Sequence, residues 1–262
     1  MADRADKRML DHNFIRKLII LAVILIPVIF LLSVGVSSIE RWLLYYPTHR
    51  TGDNGLEPWV RNGELIGFSR KVQSPKNIWL MLHGNGGQAA DRAYAIPNFS
   101  PDDSVFILEY PGYGKRGGVP SKDAFNQAAK EAYLLLRYTY AGIPACIASE
   151  SIGSGPASFV ADLSPAPDKL VLIAPFDKLS LVAKDHFPAF LVNLILKDDW
   201  DNVELLSHYH GPVEIFGAEA DNIIPVSHAK ALAAAIRSSR FVLIEGGHND
   251  WAVPGRVRII YP

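Results

Sequence analysis

A serine stands where a predicted strand is followed by a predicted helix, with a small residue two positions before it and another two positions after it. The segment reads Ser149-Glu150-Ser151-Ile152-Gly153 and follows an apolar run over 145–148. Such a sharp turn brings the strand and helix backbones close together, so small residues must flank the central serine, whose hydroxyl is held exposed. Glycine is the usual first residue, and Ser149 adds little bulk in its place. We therefore predict that Ser151 is a nucleophile, with a purely structural turn as the alternative.

A serine hydroxyl is a weak nucleophile and needs a base to accept its proton. Beyond Ser151, His248 is the histidine that directly follows a predicted strand, over 241–244. Ligands of parallel sheets bind at the carboxyl ends of the strands, so this position favours His248 as the base. His228 falls within the stripe of a predicted helix, and we expect it to be a surface residue.

The base in turn needs an acid that orients it. In folds whose serine stands on such a strand-to-helix turn, the acid follows the serine in the chain and precedes the histidine. The loop after the predicted strand over 213–216 offers Glu219 and Asp221. Asp221 is favoured because it directly precedes the start of the next helix. Asp177, which follows the predicted strand over 170–174, is a third candidate.

A glycine-rich segment, His83-Gly84-Asn85-Gly86-Gly87, follows the predicted strand over 77–82. Glycines let a backbone approach a ligand closely. An amide of this turn and the amide of Ile152 can together bind the oxyanion of a tetrahedral intermediate. A tight turn supported by hydrogen bonds of His83 is the structural alternative, and the two interpretations are compatible.

Apolar runs that alternate with helical patterns must position these residues. The predicted strands cover 65–70, 77–82, 104–108, 145–148, 170–174, 213–216 and 241–244. Predicted helices begin after Ser121, at Gly153 and at Pro225. Near-continuous apolar strands separated by helices are typical of a mostly parallel sheet covered on both faces. The longest insertion between strands, 176–211, has enough apolar residues for one or two helices.

These segments together resemble the α/β-hydrolase superfamily, and in particular its small serine hydrolases with an N-terminal membrane anchor. The matching segments are 83–86, Tyr110-Pro111-Gly112-Tyr113-Gly114, 149–157, 217–225 and Gly246-Gly247-His248. The resemblance implies an α/β-hydrolase fold over 45–262, with a mostly parallel central sheet flanked by helices.

The same resemblance implies a reaction and its residues. Ser151, Asp221 and His248 would form a catalytic triad, and the amides of Asn85 and Ile152 the oxyanion hole. The implied activity is hydrolysis of an ester, thioester or amide through an acyl-enzyme intermediate. No metal and no organic cofactor is implied. The implied substrates are small molecules, lipids or acylated proteins.

Two features depart from the family pattern. One is Ser149 at the first position of the serine turn. The other is the segment after His248, because 249–262 has no helical stripe where such folds usually end in a helix. A non-catalytic binding protein of the same fold is the alternative function. An aspartate-dependent haloalkane or epoxide hydrolase is disfavoured, since the central residue of the turn is Ser151.

An apolar segment near the N-terminus predicts a membrane anchor. Residues 18–36 carry no charge over 19 residues, a length of about 28 Å as a helix and close to the roughly 30 Å core of a bilayer. Five basic residues precede this segment and only two follow it closely, which favours a cytoplasmic segment 1–17 and a hydrolase domain on the far side. A cleaved signal peptide is the alternative.

Composition excludes several other classes of protein. The 262 residues include 26 basic and 27 acidic side chains, and 49% are hydrophobic. This composition excludes a disordered chain and gives no support for binding to nucleic acid. The single cysteine, Cys146, excludes an intrachain disulfide and a metal site of several cysteines.

Overall fold

The computed structural model describes residue 25, residues 35–52 and residues 54–261. It divides the chain into two compact units, Met1–Leu43 and Leu44–Pro262. In the first unit, residues 35–43 are helical. Most of the predicted anchor over 18–36 therefore lies outside the described residues. Within the described residues, no helix has both the length and the apolar character needed to cross a membrane.

The second unit is built on one sheet of eight described strands. These are β1 (Glu57–Arg61), β2 (Glu64–Arg70), β3 (Ile78–Leu82), β4 (Ser104–Leu108), β5 (Ala145–Glu150), β6 (Leu170–Ile173), β7 (Val213–Ala218) and β8 (Ser239–Ile244). Their order across the sheet is β1-β2-β4-β3-β5-β6-β7-β8. The β1–β2 and β2–β4 pairs are antiparallel, and all the other pairs are parallel. The predicted, mostly parallel sheet is confirmed.

The helices lie between the parallel strands, as the alternating pattern predicts. They are α1 (Lys122–Thr139), α2 (Ser154–Ala161), α3 (Leu179–His186), α4 (Ala189–Ile195), α5 (Asn202–Leu206) and α6 (Val226–Ala235). Short 3-10 segments cover Ala89–Asn98, Ser151–Gly153 and Asp250–Ala252. The predicted cap of α1 is confirmed, because the side chain of Ser121 accepts a hydrogen bond from the amide of Ala124. The insertion 176–211 contains three short helices rather than one or two.

Strand β1 has no counterpart among the predicted strands. It forms a hairpin with β2 through Asn62 and Gly63, whose φ angles are 50° and 81°. Asn-Gly is the commonest two-residue hairpin turn because both positions require positive φ. The Asn62-Gly63 dipeptide is therefore the sequence feature from which the hairpin could have been predicted. Four of the five residues of β1 are exposed, so the strand lacks the apolar run that marks the others.

The C-terminal segment covers part of the sheet without a helix. Val257 and Ile259 are buried among the side chains of one core cluster. The amide of Ile259 donates to the carbonyl oxygen of Asn98 at 2.8 Å, and Ile259 pairs with Phe99 in a parallel bridge. An irregular segment therefore buries apolar surface after His248, where the resemblance implies a last helix.

His228 is buried, so the expectation of a surface residue is wrong. It lies in α6 and is only 7% exposed. Its Nδ1 is 2.7 Å from Oδ1 of Asp177, and its Nε2 is 2.8 Å from Oδ2 of Asp185. These carboxylates come from the loop after β6 and from α3, and they cover the ring. The apolar stripe of a helix indicates which face is buried, but it does not indicate which polar side chains of other segments contact that face.

Candidate active site

Ser151 directly follows β5 and begins the 3-10 segment that leads into α2. Its φ is 53°, a left-handed conformation that is rare for residues other than glycine. Such local strain is typical of functional turns. Two residues on, a Cβ added to Gly153 would lie 2.3 Å from the carbonyl oxygen of Leu82. The small residue is therefore required by the close approach of this turn to the end of β3.

His248 and Asp221 lie side by side in the loops after β8 and β7. Nδ1 of His248 is 2.7 Å from Oδ2 of Asp221. The other carboxylate oxygen of Asp221 accepts hydrogen bonds from the amides of Ile223 and Ile224 at 2.9 and 2.8 Å. The Asp221 side chain is 1% exposed, so its orientation is fixed. Because Nδ1 of His248 makes this contact, the second ring nitrogen, Nε2, is left to exchange a proton with another group.

The other two candidate acids lie elsewhere. Glu219 is exposed on the surface. Asp177 contacts the imidazole of His228 and accepts a hydrogen bond from the amide of Lys178. Among the three carboxylates, Asp221 is the one hydrogen-bonded to His248.

Three of the five predicted site residues line one pocket of about 340 Å³ at the carboxyl ends of the strands. Ser151, His248 and Asn85 all line it, together with apolar atoms of Ala174 and Ile223. Ile152 follows Ser151 in the 3-10 segment and is 3% exposed. The pocket thus gathers a hydroxyl, an imidazole and a glycine-rich turn. These groups can perform nucleophilic attack, proton transfer and oxyanion binding.

Side chains hold the glycine-rich turn in place. Oδ1 of Asn85 accepts from the hydroxyl of Tyr113 at 2.9 Å and from the amide of Tyr46 at 3.2 Å. The Asn85 side-chain amide donates to the carbonyl oxygen of Leu44 at 2.5 Å. His83 is fully buried, with Nδ1 2.7 Å from the carbonyl oxygen of Gly84. The predicted supporting position of His83 is therefore present, and Asn85 is fixed through its side chain.

A buried carboxylate beside the serine escaped the sequence analysis. Glu150 is 6% exposed and lines the same pocket. Burial alone would raise its pKa, but the nearby Arg92 guanidinium and hydrogen bonds from Gly84 and Arg92 keep the pKa below the ordinary value. The available signal was an acidic residue that ends an otherwise apolar strand, immediately before Ser151.

Within the described part of the chain, no group of three or more His, Cys, Asp or Glu side chains could hold a metal ion. Cys146 is buried in β5, and burial raises the pKa of its thiol well above the ordinary value.

Comparison with known proteins identifies relatives of part of the chain. No protein-family model matches it. An uncharacterized protein of Mycobacterium tuberculosis is 34% identical over 176 residues, which are 65% of this chain and 62% of that relative. The lysophosphatidylserine lipase ABHD12 of Danio rerio is 26% identical over 208 residues, 71% of this chain and 53% of the relative. The chain therefore spans between half and two thirds of these curated relatives.

Solved structures share the architecture at low sequence identity. The esterase Pf2001 of Pyrococcus furiosus superposes with a TM-score of 0.60 and 12% identity, covering 79% of this chain and 93% of that one. At this identity the likeness concerns the fold alone. Together with the sheet order and the serine turn after β5, it shows that the chain has the α/β-hydrolase fold.

Proposed function

We propose that the chain is a serine hydrolase that cleaves an ester, thioester or amide bond through an acyl-enzyme intermediate. One observation carries the proposal. His248 lines the same pocket as Ser151 and is hydrogen-bonded to Asp221 through Nδ1, and Ser151 stands in a strained turn. A nucleophile, a base and an acid in such an arrangement are the components of a catalytic triad.

In the first half of the proposed reaction, Oγ of Ser151 attacks the carbonyl carbon of the substrate. Nε2 of His248 accepts the hydroxyl proton as the new C–O bond forms. The carbonyl oxygen becomes an oxyanion, which accepts hydrogen bonds from the amides of Asn85 and Ile152. The intermediate then breaks the bond to the leaving group, which takes the proton from His248. The acyl group remains on Ser151.

In the second half, water replaces the leaving group. His248 removes a proton from the water, whose oxygen attacks the acyl carbon. The second oxyanion collapses, the ester bond to Ser151 breaks, and His248 returns the proton to the serine. Throughout, Asp221 holds the imidazole in the tautomer with hydrogen on Nδ1 and stabilises its protonated form.

The proposed substrates are lipids or small molecules that contain an acyl group. Two observations support this class. The pocket presents apolar surface from Ala174 and Ile223 next to Ser151, which suits an acyl chain. A relative that matches 71% of this chain is named a lysophosphatidylserine lipase.

A chain-length series tests the proposed function. The full chain in detergent micelles would be assayed with acyl esters, acyl thioesters and aminoacyl amides of increasing length. We expect turnover of at least one series, and its abolition by Ser151→Ala. A folded wild-type protein with no serine-dependent turnover would contradict the enzyme and favour a binding protein of the same fold.

We further propose that residues 18–36 anchor the chain in a membrane, with 1–17 in the cytoplasm and the hydrolase domain on the far side. The uncharged segment and the basic residues before it support this topology. Alkaline phosphatase fused after Tyr261 should be active only if that end is exported. A reporter that works solely in the cytoplasm would reverse the topology. Loss of the first residues together with release by carbonate would indicate a cleaved signal peptide.

A further inference from the structure

We infer that Glu150 is a positioning residue, whose carboxylate fixes the glycine-rich turn and the segment after His248 relative to Ser151. The inference rests on the proposed function. Glu150 is the last residue of β5, directly before Ser151. Its backbone is therefore part of the nucleophile turn, while its side chain reaches two other segments of the site.

One carboxylate oxygen of Glu150 contacts the glycine-rich turn. Oε1 accepts a hydrogen bond from the amide of Gly84 at 2.7 Å and one from Nε of Arg92 at 2.5 Å. Nη2 of Arg92 in turn donates to the carbonyl oxygen of Gly86 at 2.5 Å. The residues on both sides of Asn85 are thus held by the ion pair. This arrangement sets the direction of the peptide that carries the proposed oxyanion donor.

The short distance between the Glu150 carboxylate and the turn also explains why residue 84 is a glycine. A Cβ added to Gly84 would lie 3.0 Å from Oε1 of Glu150, closer than side chains normally approach. Glycine at position 84 therefore allows the carboxylate to reach the backbone amide. The sequence provides both partners of the contact.

The second oxygen of Glu150 contacts the segment that follows the proposed base. Oε2 accepts a hydrogen bond from Nε1 of Trp251 at 3.0 Å and one from the hydroxyl of Tyr94 at 3.2 Å. Trp251 lies three residues after His248 and is 2% exposed. The carboxylate therefore limits how far the loop of His248 can move from Ser151.

The charge on Glu150 is needed for this arrangement. All four contacts are donors, and an ionised carboxylate only accepts. A glutamine of the same shape would turn an NH2 group towards at least one donor and would leave the Arg92 guanidinium buried without its counter-charge. The structure thus predicts that the neutral isostere displaces the turn although it fills the same space.

The test compares Glu150→Gln with wild type, using the full chain in detergent and a soluble ester. We expect kcat per folded molecule to fall about 100-fold, as for a misplaced catalytic group. KM should stay within about threefold, since loss of an interaction made only in the transition state lowers kcat without weakening substrate binding. Glu214→Gln is the matched control. It removes the carboxylate of a largely buried pair with Lys169 at 2.9 Å and should leave kcat unchanged.

A double substitution separates positioning from simple neutralisation of charge. If Glu150 served only as the counter-ion of Arg92, the variant Arg92→Met/Glu150→Gln would recover kcat, because no unpaired charge is left. We expect it to remain as slow as Glu150→Gln, because glutamine has only one acceptor oxygen and cannot keep the contacts to both Gly84 and Trp251. Recovery to the wild-type kcat would overturn the inference.

Two further outcomes are decisive. A folded Glu150→Gln whose kcat is within threefold of wild type would overturn the inference and leave the proposed function intact. Wild type without serine-dependent turnover would contradict the proposed function itself. If Glu150→Gln does not fold, Arg92→Lys replaces it, because lysine keeps the charge but has one nitrogen in place of the two that contact Glu150 and Gly86. We then expect about a tenfold loss in kcat, and an unchanged kcat would overturn the inference.

Discussion

Nδ1 of His248 lies 2.7 Å from Oδ2 of Asp221, although 27 residues separate them along the chain. Strands β7 and β8 are parallel neighbours, and their registered pairing ends with Ala218 opposite Ile244. The loops that leave these two strands therefore start side by side. A short glycine-rich turn after β8 then places the imidazole against the carboxylate.

The first prediction concerns this contact. Asp221→Asn should lower kcat by about 10⁴-fold, because the amide favours the wrong imidazole tautomer. Steady-state kinetics with a soluble ester would measure it. Glu219→Gln, in the same loop but exposed, is the matched control and should retain wild-type turnover. Near-normal activity of Asp221→Asn together with an inactive Glu219→Gln or Asp177→Asn would show that another carboxylate orients the base.

The second prediction concerns the space around the serine turn. Gly153→Ala should lower the free energy of unfolding by about 1–3 kcal/mol, because its Cβ would lie 2.3 Å from the carbonyl oxygen of Leu82. Denaturant titration would measure the change. A Cβ on Gly117 meets nothing within 4 Å, so Gly117→Ala should stay within about 0.5 kcal/mol of wild type. Equal stability of the two variants would refute the tight packing of this turn.

The third prediction concerns a buried hydroxyl that the family pattern would replace with glycine. Among the described residues, Oγ of Ser149 has no hydrogen-bond partner and is buried. Ser149→Ala should therefore increase the free energy of unfolding by about 1 kcal/mol. Ser158 is equally buried, but its hydroxyl donates to the carbonyl oxygen of Ser154 at 2.8 Å. Ser158→Ala should lose stability or leave it unchanged, and a stability gain confined to Ser158→Ala would contradict this explanation.

The fourth prediction concerns pH. Burial would lower the pKa of His228, but hydrogen bonds and charges of Asp185 and Asp177 outweigh it and raise the pKa above the ordinary value. The protonated ring therefore stabilises the folded state. This contribution is complete below the unfolded-state pKa, about 6.5, and is lost as pH rises through the higher folded-state pKa.

Thermal denaturation between pH 5.5 and 9 tests this linkage. The difference in Tm between wild type and His228→Gln should be largest at low pH and should shrink as the pH rises. His210→Gln, at an exposed position, should leave the pH dependence unchanged. A difference that grows with pH would mean that His228 is held in its neutral form.

Much of the fold could be predicted because its central strands are buried on both faces. Strands β3 to β6 are entirely buried, so each appears in the sequence as an apolar run. Strand β1 escaped because it is an exposed edge strand. The lack of a helical stripe after His248 could be seen in the sequence, but what that segment contacts could not, because Ile259 pairs with Phe99 and donates to Asn98, more than 150 residues earlier.

The residues of the candidate site also differ in whether local sequence or distant contacts reveal their role. Ser151, Asp221 and His248 could be proposed because each follows a strand whose position is marked by local sequence. Glu150 and His228 could not, because the significance of each depends on partners from distant segments. The acidic residue at the end of an apolar strand marks the position of Glu150 but not its partners, because its donors come from 84, 92, 94 and 251.

Reaction of Ser151 with a fluorophosphonate is the most direct test of the proposed hydrolase. An activated serine beside an oxyanion hole attacks the phosphorus and displaces fluoride. We predict stoichiometric labelling of the full chain at Ser151, identified by peptide mass spectrometry. Labelling should be lost in Ser151→Ala and strongly slowed in His248→Ala, while Ser158→Ala should label at the wild-type rate. A folded wild-type chain that does not label, or that labels equally well without His248, would contradict the account.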